Sequence, residues 1–141
     1  MERYRNRISG PLLDRIDIHV EVPMVDYQQL ASKTPGEGSQ AIRERVMIAR
    51  DVQRRRFGGN GRTRCNARLS SRQQKDYCTL NAEAEGLLQM AMTQLHLSAR
   101  AYDRILKVAR TIADLDGSEV IDANHVGEAV QYRTLDRNLW A

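Results

Sequence analysis

Arginine is the residue type in this chain that could do chemistry: 19 of its 141 residues are arginine, against three lysines. A guanidinium fork grips phosphate oxygens bidentately where an ammonium offers a point charge, so this bias points at phosphates. The cations are unevenly spread. Residues 41–72 carry ten basic and two acidic side chains, whereas the segments on either side are slightly acidic, so the net charge of +4 conceals a basic middle third. Within it Arg54, Arg55, Arg56, Arg62, Arg64 and Arg68 are candidates for contacting nucleic acid, where each neutralised phosphate releases a counterion. The plainer reading is a solvated helix face followed by a basic loop. With one Phe, one Trp and five Tyr the chain has little on which to stack bases, which argues against sequence-specific readout.

Other chemistries are excluded. Cys65 and Cys78, with His19, His96 and His125, show no spacing that assembles a tetrahedral metal site, so no metal is expected and both thiols read as buried or incidental in a reducing cytoplasm. There is no G-x-x-x-x-G-K-[ST] and no G-x-G-x-x-G, so the chain does not cradle nucleotide phosphates itself. No apolar run approaches the ~20 residues of a membrane span and no signal peptide opens the chain, which predicts a cytoplasmic protein without a membrane partner. His125 reads as exposed, Met90 and Met92 as core gap-fillers, and Trp140 as either an anchor for the tail or a contact with a part of the protein beyond these residues.

These residues need elements to position them. Ser9 to Leu13 predicts a short helical turn, with Pro11 near its first position. Ile16, Ile18, Val20 and Val22 alternate with polar residues, which predicts one half-buried strand ended by Pro23 and lacking partners in the chain. After a brief helix over 25–31 and a linker rich in breakers, the pattern is helical over 39–56, 70–78, 81–95, 98–115 and 122–133. The first of these would bury Ile42, Val46, Ala49 and Gln53 or Val52 and stop at the glycines after Phe57. The fold class is therefore mainly α: a small helical bundle preceded by one orphan strand.

The helix over 98–115 separates most cleanly. Tyr102, Ile105, Leu106, Ala109, Ile112 and Ala113 fall in one sector and Arg100, Arg104 and Lys107 opposite. Ser98 is a good N-cap, so Arg100 lies in the first turn, where the helix dipole disfavours a cation but a bound phosphate would reward one. Alternatively, Asp103 and Asp114 on the same side make this a salted, solvated face.

Two stretches carry a resemblance. RISGPLLDRIDIHVEV over 7–22 and LSARAYDRILKVARTIADL over 97–115 look like the C-terminal part of the magnesium-chelatase-like AAA+ ATPases. The resemblance covers nearly the whole chain and implies a segment of a longer protein: residues 1–23 ending the ATPase core, 24–40 a linker, and 41–141 the helical lid, with a Gly/Arg-rich loop near 57–68. It implies that Arg15 is an arginine finger reaching the nucleotide of the adjacent subunit, where such a residue is worth about 10³–10⁵ in rate. It implies that Arg100 is the sensor-2 arginine at the γ-phosphate, with Arg104 one turn on and Arg7 upstream of the finger as further nucleotide-side candidates. The plainer reading of Arg15 is an ion pair with Asp14 or Asp17.

The nucleotide-gripping motifs that the family carries upstream are absent, so ATP and Mg²⁺ are expected as cofactors of the full-length parent and not of this chain alone. The implied partners are the protein's own N-terminal ATPase core, further copies in a hexamer, and DNA. The implied activity is ATP-driven branch migration during recombination of incoming DNA. Metal insertion into a porphyrin is the alternative within the family, and a non-enzymatic helical nucleic-acid-binding module the alternative outside it.

Overall fold

Four of the helices begin where a side chain satisfies their first amides. A computed structural model describes residues 10–27, 31–32, 35–58 and 64–133. Among them are α1 (Gly10–Leu13), α2 (Ser39–Phe57), a 3₁₀ turn (Asn66–Arg68), α3 (Ser71–Tyr77), α4 (Ala82–Gln94), α5 (Ala99–Leu115) and α6 (Ala123–Gln131). Ser70 and Gln73 form a reciprocal capping box on α3, Asn81 accepts from the Ala84 amide on α4, and Ser98 accepts from the Ala101 amide on α5. Asp122 accepts from the amides of Asn124 and His125, while His125 Nδ1 accepts from the Asp122 amide at 3.0 Å. Gly58 ends α2 in the left-handed region, φ 65°, with its N–H on the Arg54 carbonyl.

α5 is the central helix, packed on α6, α2 and the 3₁₀ turn, while α4 packs on α6. Ala84, Ala109, Ala113 and Ala129 are fully buried, and their small side chains let the helices approach closely around Ile105, Ile121 and Val126. One parallel bridge, Leu80 with Ile121, ties the starts of α4 and α6 together.

The mainly helical expectation agrees with this architecture, but the strand does not form. Residues 16–22 lie in irregular backbone, and no strand is present among the described residues. Pairing needs a neighbour. With none beside it, the segment turns its His19 amide to the Tyr132 carbonyl at 2.8 Å and leaves Val20 and Val22 exposed.

Other departures have local causes. His125 is buried because its ring completes the α6 cap. Met90 is exposed, whereas Met92 packs against the core as expected. Tyr102 lies at the edge of its sector and is partly exposed. On α2 only Ala49 and Gln53 are buried; Ile42 and Val46 are exposed because the neighbouring helices flank only its C-terminal half. The expectations for Ser9 and Trp140, and part of that for the helix over 25–31, lie outside the described residues.

Cys65 and Cys78 are free thiols, the second buried in the core beside Leu69 and Leu88. Burial pushes the Cys78 thiol up to about 11, so at pH 8 only about one in 10³ is thiolate. Iodoacetamide on the native protein is expected to label Cys65 and spare Cys78; equal labelling of both, read by peptide mass, would contradict that burial.

Candidate functional site

The turn after α1 is built by two backbone bonds, from the Arg15 amide to Leu12 O and from the Ile16 amide to Leu13 O, each 3.0 Å. It presents Arg15 to solvent, and among the described residues no carboxylate pairs with that guanidinium. The two flanking acids are engaged elsewhere. Asp14 accepts from Ser98 Oγ at 3.0 Å and from Arg100 at 3.0 Å, and Arg133 approaches it to 3.9 Å. Asp17 pairs with Arg104, one helical turn beyond Arg100 on the same face of α5.

The far side of the turn is clasped by the end of α6. The buried guanidinium of Arg133 donates to Ile16 O, and His19, through a protonated Nε2, donates to Leu13 O at 3.2 Å. The Asp14–Arg100 pair is half open to water, with side chains 25% and 52% exposed, so it contributes only about 0–1 kcal/mol and can exchange partners.

Thus Arg15, Arg100 and Arg104 lie at one end of the bundle, where Asp14 and Asp17, the acids that adjacency in the sequence offers to Arg15, are taken by Arg100 and Arg104 instead. Arg7 lies outside the described residues. Arg15 is exposed and Arg100 half-exposed, so both guanidinium groups are open to an anion from solvent.

The basic stretch divides. Arg43, Arg50 and Arg54 fall within one narrow sector of α2 and are exposed, Arg54 pairing with Asp51 at 2.6 Å. Arg55, Arg64 and Arg68 are also exposed, and Arg62 lies outside the described residues. Arg56 departs from the track. Its guanidinium turns inward to Asp114 at 2.7 Å and to Asn66 at 3.0 Å, because a buried carboxylate there requires it.

Asp114 is fully buried, so the solvated face read around it is corrected. It also accepts from Asn66 at 2.7 Å and from Arg110, four residues earlier, at 3.1 Å, while Arg110 donates on to the carbonyls of Ser118 and Glu119. Burial is the largest single influence on the Asp114 carboxyl and opposes its charge. The hydrogen bonds from Arg56 and Asn66 and the two guanidinium charges outweigh it and hold the group below the ordinary aspartate value. Spacing does not single out this cluster, since the i, i+4 row of Leu106, Arg110 and Asp114 runs from the edge of the apolar sector of α5 round toward its basic side, where a carboxylate looks solvated. Beside it a cavity of about 510 Å³ is lined by both signs of charge, including Arg55, Asp76 and Glu119.

No group of three or more His, Cys, Asp or Glu among the described residues could hold a metal ion, and none of the described helices is long and apolar enough to cross a membrane. A family model described as magnesium chelatase, subunit ChlI C-terminal, matches residues 36–133, and that for magnesium chelatase, subunit ChlI, matches residues 1–30. The chain belongs to the magnesium chelatase ChlI C-terminal family. Among its curated relatives, Escherichia coli YifB is 45% identical over 139 residues and Haemophilus influenzae competence protein ComM 44% identical over 138, in each case 97% of this chain. An uncharacterised Mycobacterium tuberculosis protein is 33% identical over 131 residues, 93% of the chain. The chain spans 26% of the length of each of these relatives. This magnesium-chelatase-like segment is the helical bundle and the turn docked on it.

Proposed function

We propose that this chain is the arginine-finger and lid segment of a ring-forming AAA+ ATPase that acts on DNA in the cytoplasm, with ATP and Mg²⁺ held by the ATPase core of the same protein. The observation that carries the reading is the turn at Arg15: an exposed guanidinium that no carboxylate among the described residues pairs with, on a backbone whose flanking acids are tied to Arg100 and Arg104. A residue that reaches into a neighbouring subunit needs that combination of exposure and anchoring. Arg100 is then the lid contact to the protein's own nucleotide, and the hexamer supplies each site with a neighbour's Arg15.

The similarity to a relative named a competence protein supports an activity on DNA, branch migration in recombination during natural transformation. The family description supports a second reading, a motor for metal insertion into a porphyrin. The exposed arginines favour the first, since a porphyrin-directed motor needs no phosphate track. ATP turnover by the full-length protein with and without branched DNA separates them: stimulation by DNA is expected, and an indifferent rate would overturn the DNA reading.

The track itself gives a sharper expectation. Reversing Arg54, Arg64 and Arg68 to glutamate should weaken DNA binding and reduce the slope of log K against log salt by about 0.9 for each phosphate no longer neutralised. An unchanged slope would remove these arginines from the DNA interface. Arg56 is left out of that set because its change would disturb Asp114.

A further inference from the structure

We infer that Asp14 is the positioning residue for Arg15, and that through it a phosphate taken by Arg100 changes how Arg15 is presented to the neighbouring subunit. The inference rests on the reading above and deepens it.

Arg15 follows Asp14 directly, so the side chain of Asp14 is the nearest anchor to the finger's own backbone. That side chain points back to the start of α5, where Ser98 Oγ holds Oδ1 and Arg100 holds Oδ2, each at 3.0 Å. Residues after the finger are held by a different set: Arg104 on Asp17, Arg133 on Ile16 O, and Tyr132 O on the His19 amide. The turn is therefore hung between two supports. The Asp14 support is the one that shares Arg100, the expected γ-phosphate contact.

The two acceptors compete unequally for Arg100. A terminal phosphate offers more charge and more acceptor oxygens than one carboxylate, and the Asp14–Arg100 pair is partly hydrated and weak. When Arg100 engages phosphate, Asp14 keeps Ser98 and has a second guanidinium, that of buried Arg133, already 3.9 Å from Oδ1. A shift of the carboxylate toward Arg133 carries the backbone at 14–15 with it. Occupancy of one nucleotide site is thereby reported at the next by a carboxylate with two alternative guanidinium partners.

The test uses the full-length protein and the variants Asp14→Asn, Asp14→Glu and Arg15→Ala. For Asp14→Asn, kcat is expected to fall about ten- to a hundredfold, the cost of misplacing a catalytic group, with KM unchanged or lowered because Arg100 has lost a competitor. Mixing with subunits unable to bind ATP but carrying a native Arg15 should restore turnover, as it does for a fault that lies in the finger and not in the variant's own site. Asp14→Glu should fall between Asp14→Asn and wild type. Independently of turnover, a non-hydrolysable ATP analogue should speed hydrogen exchange at the Arg15 and Ile16 amides in wild type, whereas in Asp14→Asn exchange should be fast with or without it.

Wild-type kcat for Asp14→Asn while Arg15→Ala is inactive overturns the inference and spares the reading beneath it; wild-type turnover by Arg15→Ala overturns that reading. A loss in Asp14→Asn with raised KM and no rescue on mixing, or exchange in wild type that ignores nucleotide, leaves Asp14 a structural residue only and overturns the inference. Should Asp14→Asn fail to assemble, Asp14→Glu decides alone: an intermediate kcat rescued in trans supports the inference, and wild-type or unrescued turnover overturns it.

Discussion

Arg15→Ala in the full-length protein is expected to lower ATP turnover by about 10³–10⁵-fold with ATP still bound. The loss corresponds to about 4–7 kcal/mol of transition-state stabilisation, more than any surface ion pair could supply. It is large because the guanidinium acts only on charge that develops as the phosphoryl group moves, in a site from which water is excluded. Arg15→Lys should recover little, since the ammonium is shorter and lacks the bidentate fork. Mixing Arg15→Ala with subunits that cannot bind ATP should restore part of the rate, because those mixed interfaces in which the Arg15→Ala subunit supplies the nucleotide site then receive a native finger from the neighbour. Normal turnover by the single mutant would end the assignment. Nothing in the fold requires this side chain, which is exposed, so a defect cannot be ascribed to unfolding.

Asp114→Ala is expected to destabilise the chain by about 3–5 kcal/mol in urea or thermal unfolding. The variant leaves Arg56 and Arg110 facing one another in the interior without their shared acceptor, and it strips Asn66 of one partner. Against the ~5–15 kcal/mol that holds a domain together, this is enough to populate the unfolded state. Arg54→Ala, on the exposed Asp51 pair, should change stability by less than about 0.5 kcal/mol and serves as the contrast. The acid limb carries the same information. Because the folded-state value of Asp114 is held below the ordinary one, its contribution is complete above the unfolded value near about 3.9 and is lost as the pH falls through the lowered folded value. Asp114→Asn should remove that portion of the acid dependence; an unaltered acid limb would show that the charge of Asp114 does not matter to the fold.

Helix positions are legible in the sequence because caps and breakers are local chemistry: Ser70, Asn81, Ser98 and Asp122 each begin a helix by accepting its free amides, and Gly58 stops one. The strand is not, because alternation at Ile16–Ile18–Val20–Val22 records a preference for pairing but cannot supply the neighbour. Arg15 and Arg100 can be named from resemblance, but their link through Asp14 cannot, since Asp14 and Arg100 are 86 residues apart in the chain. Arg56 looks like its neighbours Arg54 and Arg55 because composition is blind to direction; one step of 100° around α2 turns a solvent-facing cation into a part-buried one held by a buried carboxylate. His125 misleads for a similar reason, its polar neighbours being the cap that buries it.

α2 has a mechanical consequence. Its first buried residue is Ala49, so the ten positions back to Ser39 reach roughly 15 Å beyond the anchored half. That reach makes the helix a lever with its fulcrum at Ala49 and Gln53. A tilt of about 10° at the fulcrum displaces its tip by roughly 3 Å, and carries Arg43 through most of that stroke while Arg54 barely moves. A small rotation of the bundle is thereby geared up along one row of guanidinium groups.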